Sequence, residues 1–560
     1  MLSLLTLSAL LVPQVQEPSA ADVMPADTFL YLEMSVEPFD RLGEHTIPYQ
    51  LYKKAEIADA LAPLQAEMQK QLDTMSMELG FDLGSLIGSS RFSFGLTWDI
   101  VANEGGFVPV GVEMSPAIAQ NVNLDAILNE AGIGSWLQVG TLLFGVIHTD
   151  ELEQMDGANP SAAPVNKRAE GAQYLQGLLN RAAEKPGNGM TGLASWKAMS
   201  ARCRSNDDLF GGWLMMDHFN LDMFSEMIGE EIPPQIIEIF EIMELDKFRG
   251  MSWTTSVAPP MLEDRIMVYG PGMMQKYFPA RINEAVNMAE LMNILPHDSY
   301  QTMMFASNFP QFGEDLQKCI DLMLELSGEE MPEEAAGIMN MVFALFAETG
   351  PVFCSNTRAE DYGRSLPGDL WLQASHPEKV SEILAAGLPA GLVDSLQEGM
   401  MFGPGIPEVM LAVKGNRLTV FESIAQATTQ ALGDQPEFRA AAQLFAKYPV
   451  TQVYGTEYQS KAMMVEAMET LRSEGNSLLE AIDAGDVPFD FKMLPEMAVV
   501  DAVMKSSATV SLATPDGFYA EGHSAFGRLL NQFLVQIPTA LQLMNTFGMI
   551  SSGEFEEEEF

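Results

Sequence analysis

The chain has 560 residues, 47% of them apolar and 19% charged. That is too long for one ordinary core and too apolar for general disorder. Acidic residues outnumber basic ones 77 to 30, a formal net charge of −47. This disfavours nucleic-acid binding, whose phosphate term needs clustered Lys and Arg.

Leu2 to Val12 is an apolar run of signal-peptide length, too short to span a bilayer as a helix. Ser19-Ala20-Ala21 offers small residues for a peptidase, and Pro13 to Gln16 offers an alternative cut. The usual basic residues before the apolar run are missing, which a start assigned too late would explain. The expectation is a signal peptide over 1–21 and a periplasmic or extracellular mature chain. Beyond it no apolar run reaches about 18 residues, so no integral membrane segment is expected. Cys203, Cys319 and Cys354 are too few for a disulfide scaffold, and no CxxC marks a zinc site.

The next segments recur in the second half. VMPADTFLYLEMSVEPFDRL (Val23 to Leu42) matches ILPHDSYQTMMFASNFPQFGEDL (Ile294 to Leu316), with Pro25 over Pro296 and Asp27 over Asp298. In each, Pro fixes φ and the polar pair turns the chain into a strand. RFSFGLTWD and FVPVGVEMSPAIAQ are followed by a helix, as are PVFCSNTRAED and GDLWLQASHPEKVS, with Pro116 over Pro377. Ser195 to Met227 matches Glu437 to Met468 as helix, Gly-bearing strand and helix. Gly250 to Gly272 matches Ser507 to Gly527 as hairpins, with turns expected near Glu263-Asp264 and Pro515-Asp516-Gly517.

Apolar spacing of three and four predicts helices over Leu51 to Leu79, Ile236 to Met243, Ile320 to Leu326 and Ile338 to Phe346. Asp156 to Asn166 and Lys185 to Gly192 bracket a helix over Lys167 to Lys185, read as an insertion peculiar to the first repeat. Hairpins alternate with helices without strict βαβ order. The fold class expected is α+β: two homologous domains from internal duplication, each with mostly antiparallel sheet and packed helices. The expected domains are 22–290 and 291–535, followed by a C-terminal helix and acidic tail over 536–560.

Chemistry is sparse. P-loop, nucleophile-elbow, HExxH and calcium-loop signatures are absent from the sequence. The one GxGxxG, Gly187 to Gly192, follows a helical stretch and reads as a flexible loop. Of six histidines, His218 has the best local company, between Asp217 and Asp222; a solvated turn accounts for it better than a metal. His297 and His376 stand in repeat turns where Ala26 and Ser115 stand in the other copy. The pairs Glu230-Glu231, Glu329-Glu330 and Glu333-Glu334 read as solvated faces, and the 39 methionines chiefly as core. No catalytic residue, cofactor or metal ligand is assigned.

The Pro-x-Asp-Thr/Ser strand starts, the PVGVEMSP and WLQASHP strand-turns, the Gly-ended helices and the acidic exported character together resemble a known group. It is the uncharacterised exported proteins of planctomycete-type bacteria, a family of unknown function with two internal repeats. The resemblance implies an envelope or periplasmic location and two repeats over nearly the whole mature chain; it brings no activity and no site residues. The expected function is a binding or scaffold module without catalysis, its partner an envelope protein or a hydrophobic ligand. A carrier of lipid or another hydrophobic ligand, and a hydrolase with an unrecognised site, stand as alternatives.

Overall fold

A computed structural model of the protein describes residues 19–102, 106–131, 134–149, 165–184, 187–218, 225, 232–278, 286–328, 330–363, 368–387, 409–421, 428–481 and 491–546. The chain is α+β, with antiparallel sheet and packed helices. It divides into two compact units: Met1–Asp40 with Gln69–Phe219, and Arg41–Met68 with Asn220–Phe560.

The first unit contains β1 (Thr28–Ser35), β2 (Arg91–Thr97), β3 (Phe107–Glu113), β4 (Ser135–Val139), β5 (Leu142–His148) and β6 (Asp208–Met215). They pair antiparallel in the order β6-β1-β2-β3-β5-β4. Period-two alternation in β1 buries Tyr31, Glu33 and Ser35 on one face. Tyr31 meets Trp196 edge-on at 5.3 Å, and Trp196 lies 5.2 Å from Trp213. Trp196 rides on the helix Ala194–Cys203, whose first turn is held by Asp217. The Asp217 carboxylate accepts from the Ser195 backbone N–H at 3.4 Å and from the Ser195 hydroxyl. Asp217 therefore anchors a helix start, and Asp222 lies outside the described residues.

One expectation about this unit changes. The Gly187 to Gly192 segment is a packed turn, not a flexible loop. Met190 is fully buried and donates its N–H to the Met24 carbonyl at 3.1 Å. A Cβ on Gly189 would lie 2.4 Å from that carbonyl oxygen, so glycine permits the close approach. At the start of the described residues a short helix packs on β3. Ser19 and Asp22 form a capping box on the short helix Ala20–Val23. Ala20 donates its N–H to Glu113 at 2.8 Å, and Ala20 and Ala21 are buried.

The second unit contains β7 (Gly250–Ala258), β8 (Met261–Tyr269), β9 (Ser299–Ala306), β10 (Thr349–Arg358), β11 (Asp369–Ala374), β12 (Val409–Lys414), β13 (Arg417–Phe421), β14 (Val453–Gln459), β15 (Ser507–Thr514) and β16 (Gly517–Ser524). Six of these pair as β14-β9-β10-β11-β13-β12. Taken in chain order, that connectivity is the one seen in β6-β1-β2-β3-β5-β4. Trp213 follows the β6 partner of Leu32, and Tyr458 follows the β14 partner of Met303. Phe438, from the helix preceding β14, lies 5.1 Å from Tyr458, as Trp196 lies beside Trp213.

The hairpins β7–β8 and β15–β16 join through β8 and β16, which pair over eight positions. That ladder holds β7 and β8 in the second unit. The compact units accordingly divide after Phe219, whereas the break expected from the sequence lay between 290 and 291. The β15–β16 turn is at Pro515-Asp516, as expected. The β7–β8 turn is at Pro259-Pro260, and Glu263-Asp264 instead lie within β8. Two residues without N–H groups interrupt the ladder more effectively than two acids. Asp264 accepts from Thr255 at 2.7 Å and from the Arg528 N–H at 2.6 Å, where the helix Arg528–Thr546 begins. That helix runs across position 536, the start expected for the C-terminal segment.

The predicted helices over Leu51 to Leu79, Ile236 to Met243, Ile320 to Leu326 and Ile338 to Phe346 lie within Ile47–Tyr52 and Ala55–Leu79, Pro234–Ile242, Phe309–Ser327 and Glu333–Glu348, to within a residue or two at the ends. The expected insertion contributes the helix Val165–Glu184, which packs on β4 and β5; residues 156–164 lie outside the described residues. A core of the second unit gathers Ile47, Leu51, Met463, Met464, Met468, Val500, Met504 and Val535. Cys203, Cys319 and Cys354 are all buried, and none of them is in a disulfide. Among the described residues, no helix is long and apolar enough to cross a membrane.

The N-terminal contacts yield a stability test. A chain beginning at Asp22 loses the capping box and leaves Glu113 without the Ala20 N–H. We expect it to unfold about 2 kcal/mol more easily than a chain beginning at Ser19. Urea midpoints of the two truncations measure the difference; equal midpoints would remove any structural role for Ser19 to Ala21.

Candidate functional site

Register alone brings ionisable groups together on β8 and β16. Glu263 stands opposite His523, and Arg265 opposite Glu521. Arg265 and Glu521 are each the fifth residue of their strand, and the ladder pairs the first residue of β16 with the ninth of β8. The two hairpins are thus related by a local twofold axis through the Arg265–Glu521 pair. Identical side chains there would have placed like charges face to face; the two hairpins differ, and opposite charges meet.

Glu521 is 2% exposed. Its carboxylate accepts from Lys447 Nζ at 2.6 Å, from Tyr519 at 3.2 Å and from the Tyr448 hydroxyl, with His523 Nε2 at 3.7 Å. Burial pushes the Glu521 carboxyl up, but the nearby His523 and the bonds from Lys447 and Tyr448 outweigh it and hold it well below the usual carboxylate range. Burial pulls the Lys447 ammonium down, and Glu521 more than restores it, leaving it raised. Glu263 accepts from Arg265 Nε at 2.8 Å, and Arg265 also donates to the Ser256 hydroxyl at 3.3 Å.

A cleft of about 690 Å³ opens over this cluster in the second unit. Its floor is Glu521, His523 and Ala508; one wall is Pro260 and Met261; the other is the helix Pro436–Ala441 with the 3-10 turn Ala442–Lys447. Proline at the first helical position starts that wall, and Phe438 anchors it against Tyr458. Ala440 and Ala441 then face the cleft, and their small side chains leave it open. Leu444 adds apolar surface, while Lys447 and Lys505 bring ammonium groups. The size and largely apolar lining suit a small-molecule site.

Glu263, Glu521 and His523 offer three ligand atoms within 4.8 Å of one another, the metal-compatible group found among the described residues. The two carboxylates are already engaged. Glu521 holds Lys447 and two tyrosine hydroxyls, Glu263 holds Arg265, and two carboxylates are balanced by two cations. A divalent ion would have to displace an ammonium from a 2.6 Å bond, so the cluster acts as a closed ionic floor. Ser506 also lines the cleft, but its hydroxyl accepts from the Lys461 N–H at 3.1 Å and meets Tyr458 at 3.3 Å. Those bonds fix the start of the helix Lys461–Ala481 rather than prepare a nucleophile.

A second cleft, in the first unit, is polar and holds Arg91, Lys197 and Arg204. Arg204 is committed to the buried Glu33, at 2.9 and 3.2 Å, so its guanidinium mainly serves the core.

The sequence-singled residues lie elsewhere. His376 pairs with Glu348 at 2.7 Å on the surface, beside Lys379. His297 lies in the turn before β9, where its backbone N–H donates to Gln430. Glu333 is exposed at the start of the helix Glu333–Glu348, and Glu230 and Glu231 lie outside the described residues. Met463 and Met464 are core, whereas Met303 is 43% exposed. In the sequence His523 is one unpaired histidine among six. Glu521 stands two residues before it, but Glu263 is distant along the chain, and the hairpin match points to the strand of His523, not to the facing strand.

No family model, curated protein or solved structure matches the chain.

The pH dependence of Glu521 has a definite sign. Its folded carboxyl titrates below an unfolded value of about 4.3, so its contribution is complete above that pH and is lost as pH falls toward the folded value. We expect Glu521→Gln to cost about 2 kcal/mol at pH 7. The gap to the wild type should shrink progressively below pH ~4.3. Urea unfolding of both proteins across this range tests it, and a pH-independent gap would contradict the assignment.

Proposed function

We propose that the protein is an exported binding module without catalysis, and that its binding element is the second-unit cleft, taking a small, largely apolar molecule. The observation that carries this reading is a cleft of about 690 Å³ walled by Pro260, Met261, Ala440, Ala441 and Leu444 over an ionic floor whose carboxylates are already paired. Apolar walls supply affinity by removing ligand surface from water, while a few polar groups set orientation. The saturated Glu521 and the structural Ser506 leave the cleft without an activated nucleophile, which favours binding over hydrolysis. The apolar leader and the acidic composition support export to the periplasm or beyond. The shared strand order of the two six-strand blocks, with their matched aromatic pairs, supports descent from an internal duplication.

The test uses a neutral apolar fluorophore of the phenylnaphthylamine class. The wild type should bind it with a micromolar Kd, and Ala441→Trp, which fills the cleft from its wall, should weaken binding at least about tenfold. Thermal unfolding checks that the variant is folded. Absence of uptake by the wild type, or undiminished uptake by folded Ala441→Trp, would refute the cleft as the binding element.

A further inference from the structure

The charge around the cleft is unlike that of the chain. Over the whole sequence Asp and Glu exceed Lys and Arg 77 to 30, yet this cleft is lined by Lys447 and Lys505 against Glu437 and Glu521, with His523 beside them. Glu521 is spent internally: its oxygens hold the Lys447 ammonium and the hydroxyls of Tyr448 and Tyr519. Glu437 is exposed at the first turn of its helix. Lys505 is also exposed, and no ion pair engages its ammonium among the described residues. His523 sits on the floor with its Nε2 3.7 Å from Glu521, too far for a full hydrogen bond. An unspent cation thus stands at the edge of an apolar cleft, with a second weakly engaged donor below it.

We propose that the ligand of this cleft is a single-chain amphiphile with an anionic head group, held by Lys505 and His523 while its hydrocarbon chain lies against Pro260, Met261, Ala441 and Leu444. The inference rests on the cleft being the binding element and adds the chemical class of what enters it. Charge complementarity selects the head. A cationic amphiphile would bring its charge beside Lys505 and Lys447, and a neutral one would leave the Lys505 ammonium unmatched. Chain burial supplies most of the affinity, and the head decides between ligands of equal length. Carboxylate and phosphate monoester heads share this chemistry.

The experiment is displacement of the neutral fluorophore from the full chain by alkyl carboxylates, alkyl phosphates and alkyltrimethylammonium salts, each below its micelle concentration. Affinity should rise about fourfold per added methylene until the cleft is filled. At equal chain length an anionic head should bind at least about tenfold tighter than the trimethylammonium head, and Lys505→Gln should erase most of that preference while keeping the chain-length dependence. A carboxylate preference would identify a fatty-acid-like ligand, and a phosphate preference a lysophospholipid-like one; either supports the proposal. Equal affinity for anionic and cationic heads, or an unchanged preference in Lys505→Gln, overturns it. If the fluorophore itself never binds, the cleft reading fails; if it binds but the head group makes no difference, only this inference does.

Discussion

The pairing of β8 with β16 is the constraint on which the candidate site depends. Each strand closes a hairpin, and the two hairpins meet over eight positions around a local twofold axis at Arg265 and Glu521. Symmetry of that kind places each residue opposite its own counterpart at the axis, so divergence between the hairpins is what permits opposite charges there. Away from the axis the divergence goes further: His523 faces Glu263, while the symmetry-related positions hold Met267 and Tyr519. A polar floor therefore forms on one side of the axis and not on the other.

The same hairpin is held from both ends. At its turn, Pro260 accepts the Ile47 N–H at 2.8 Å, and Ile47 is part of the second-unit core with Leu51 and Met463. Within its strand, Asp264 meets the start of the helix Arg528–Thr546. Pro260 and Met261 are thus fixed where they form a cleft wall. On the other side Phe438 packs on Tyr458, which fixes the alanine-bearing helix. The cleft is the space between two anchored walls, and it stays open because alanines rather than larger side chains face it. Packing decides its shape, and the paired ions beneath decide its polarity.

Much of the framework is legible locally. Period-two runs and helical spacings depend on neighbours in the chain, so β1 and the long helices can be read from their own residues. The matched blocks are legible as well, since Pro25 and Pro296, or Trp196 and Phe438, stand at corresponding places in the order of elements. Local reading fails where tertiary contact replaces local preference. Glu263-Asp264 has the composition of a turn, yet its strand is paired on both sides and Asp264 caps a helix 264 residues away. The Gly187 to Gly192 segment has the composition of a free loop, yet Met190 is seated on Met24. Asp217 stands beside His218 in the chain, but it holds the start of the helix that carries Trp196.

Composition and short-range periodicity suffice for the α+β class, the alternation of hairpins and helices, the acidic character and the recurrence of blocks, because each is a property of neighbouring residues or of simple counts. Long-range packing alone makes β8 and β16 neighbours, buries Glu521 beneath Lys447 and Tyr448, and sets Lys505 at the edge of an apolar cleft with no ion pair among the described residues. Those facts depend on residues up to 262 positions apart in the paired strands. The register of a ladder is set by the packing of whole faces, and no local pattern in either strand names its partner.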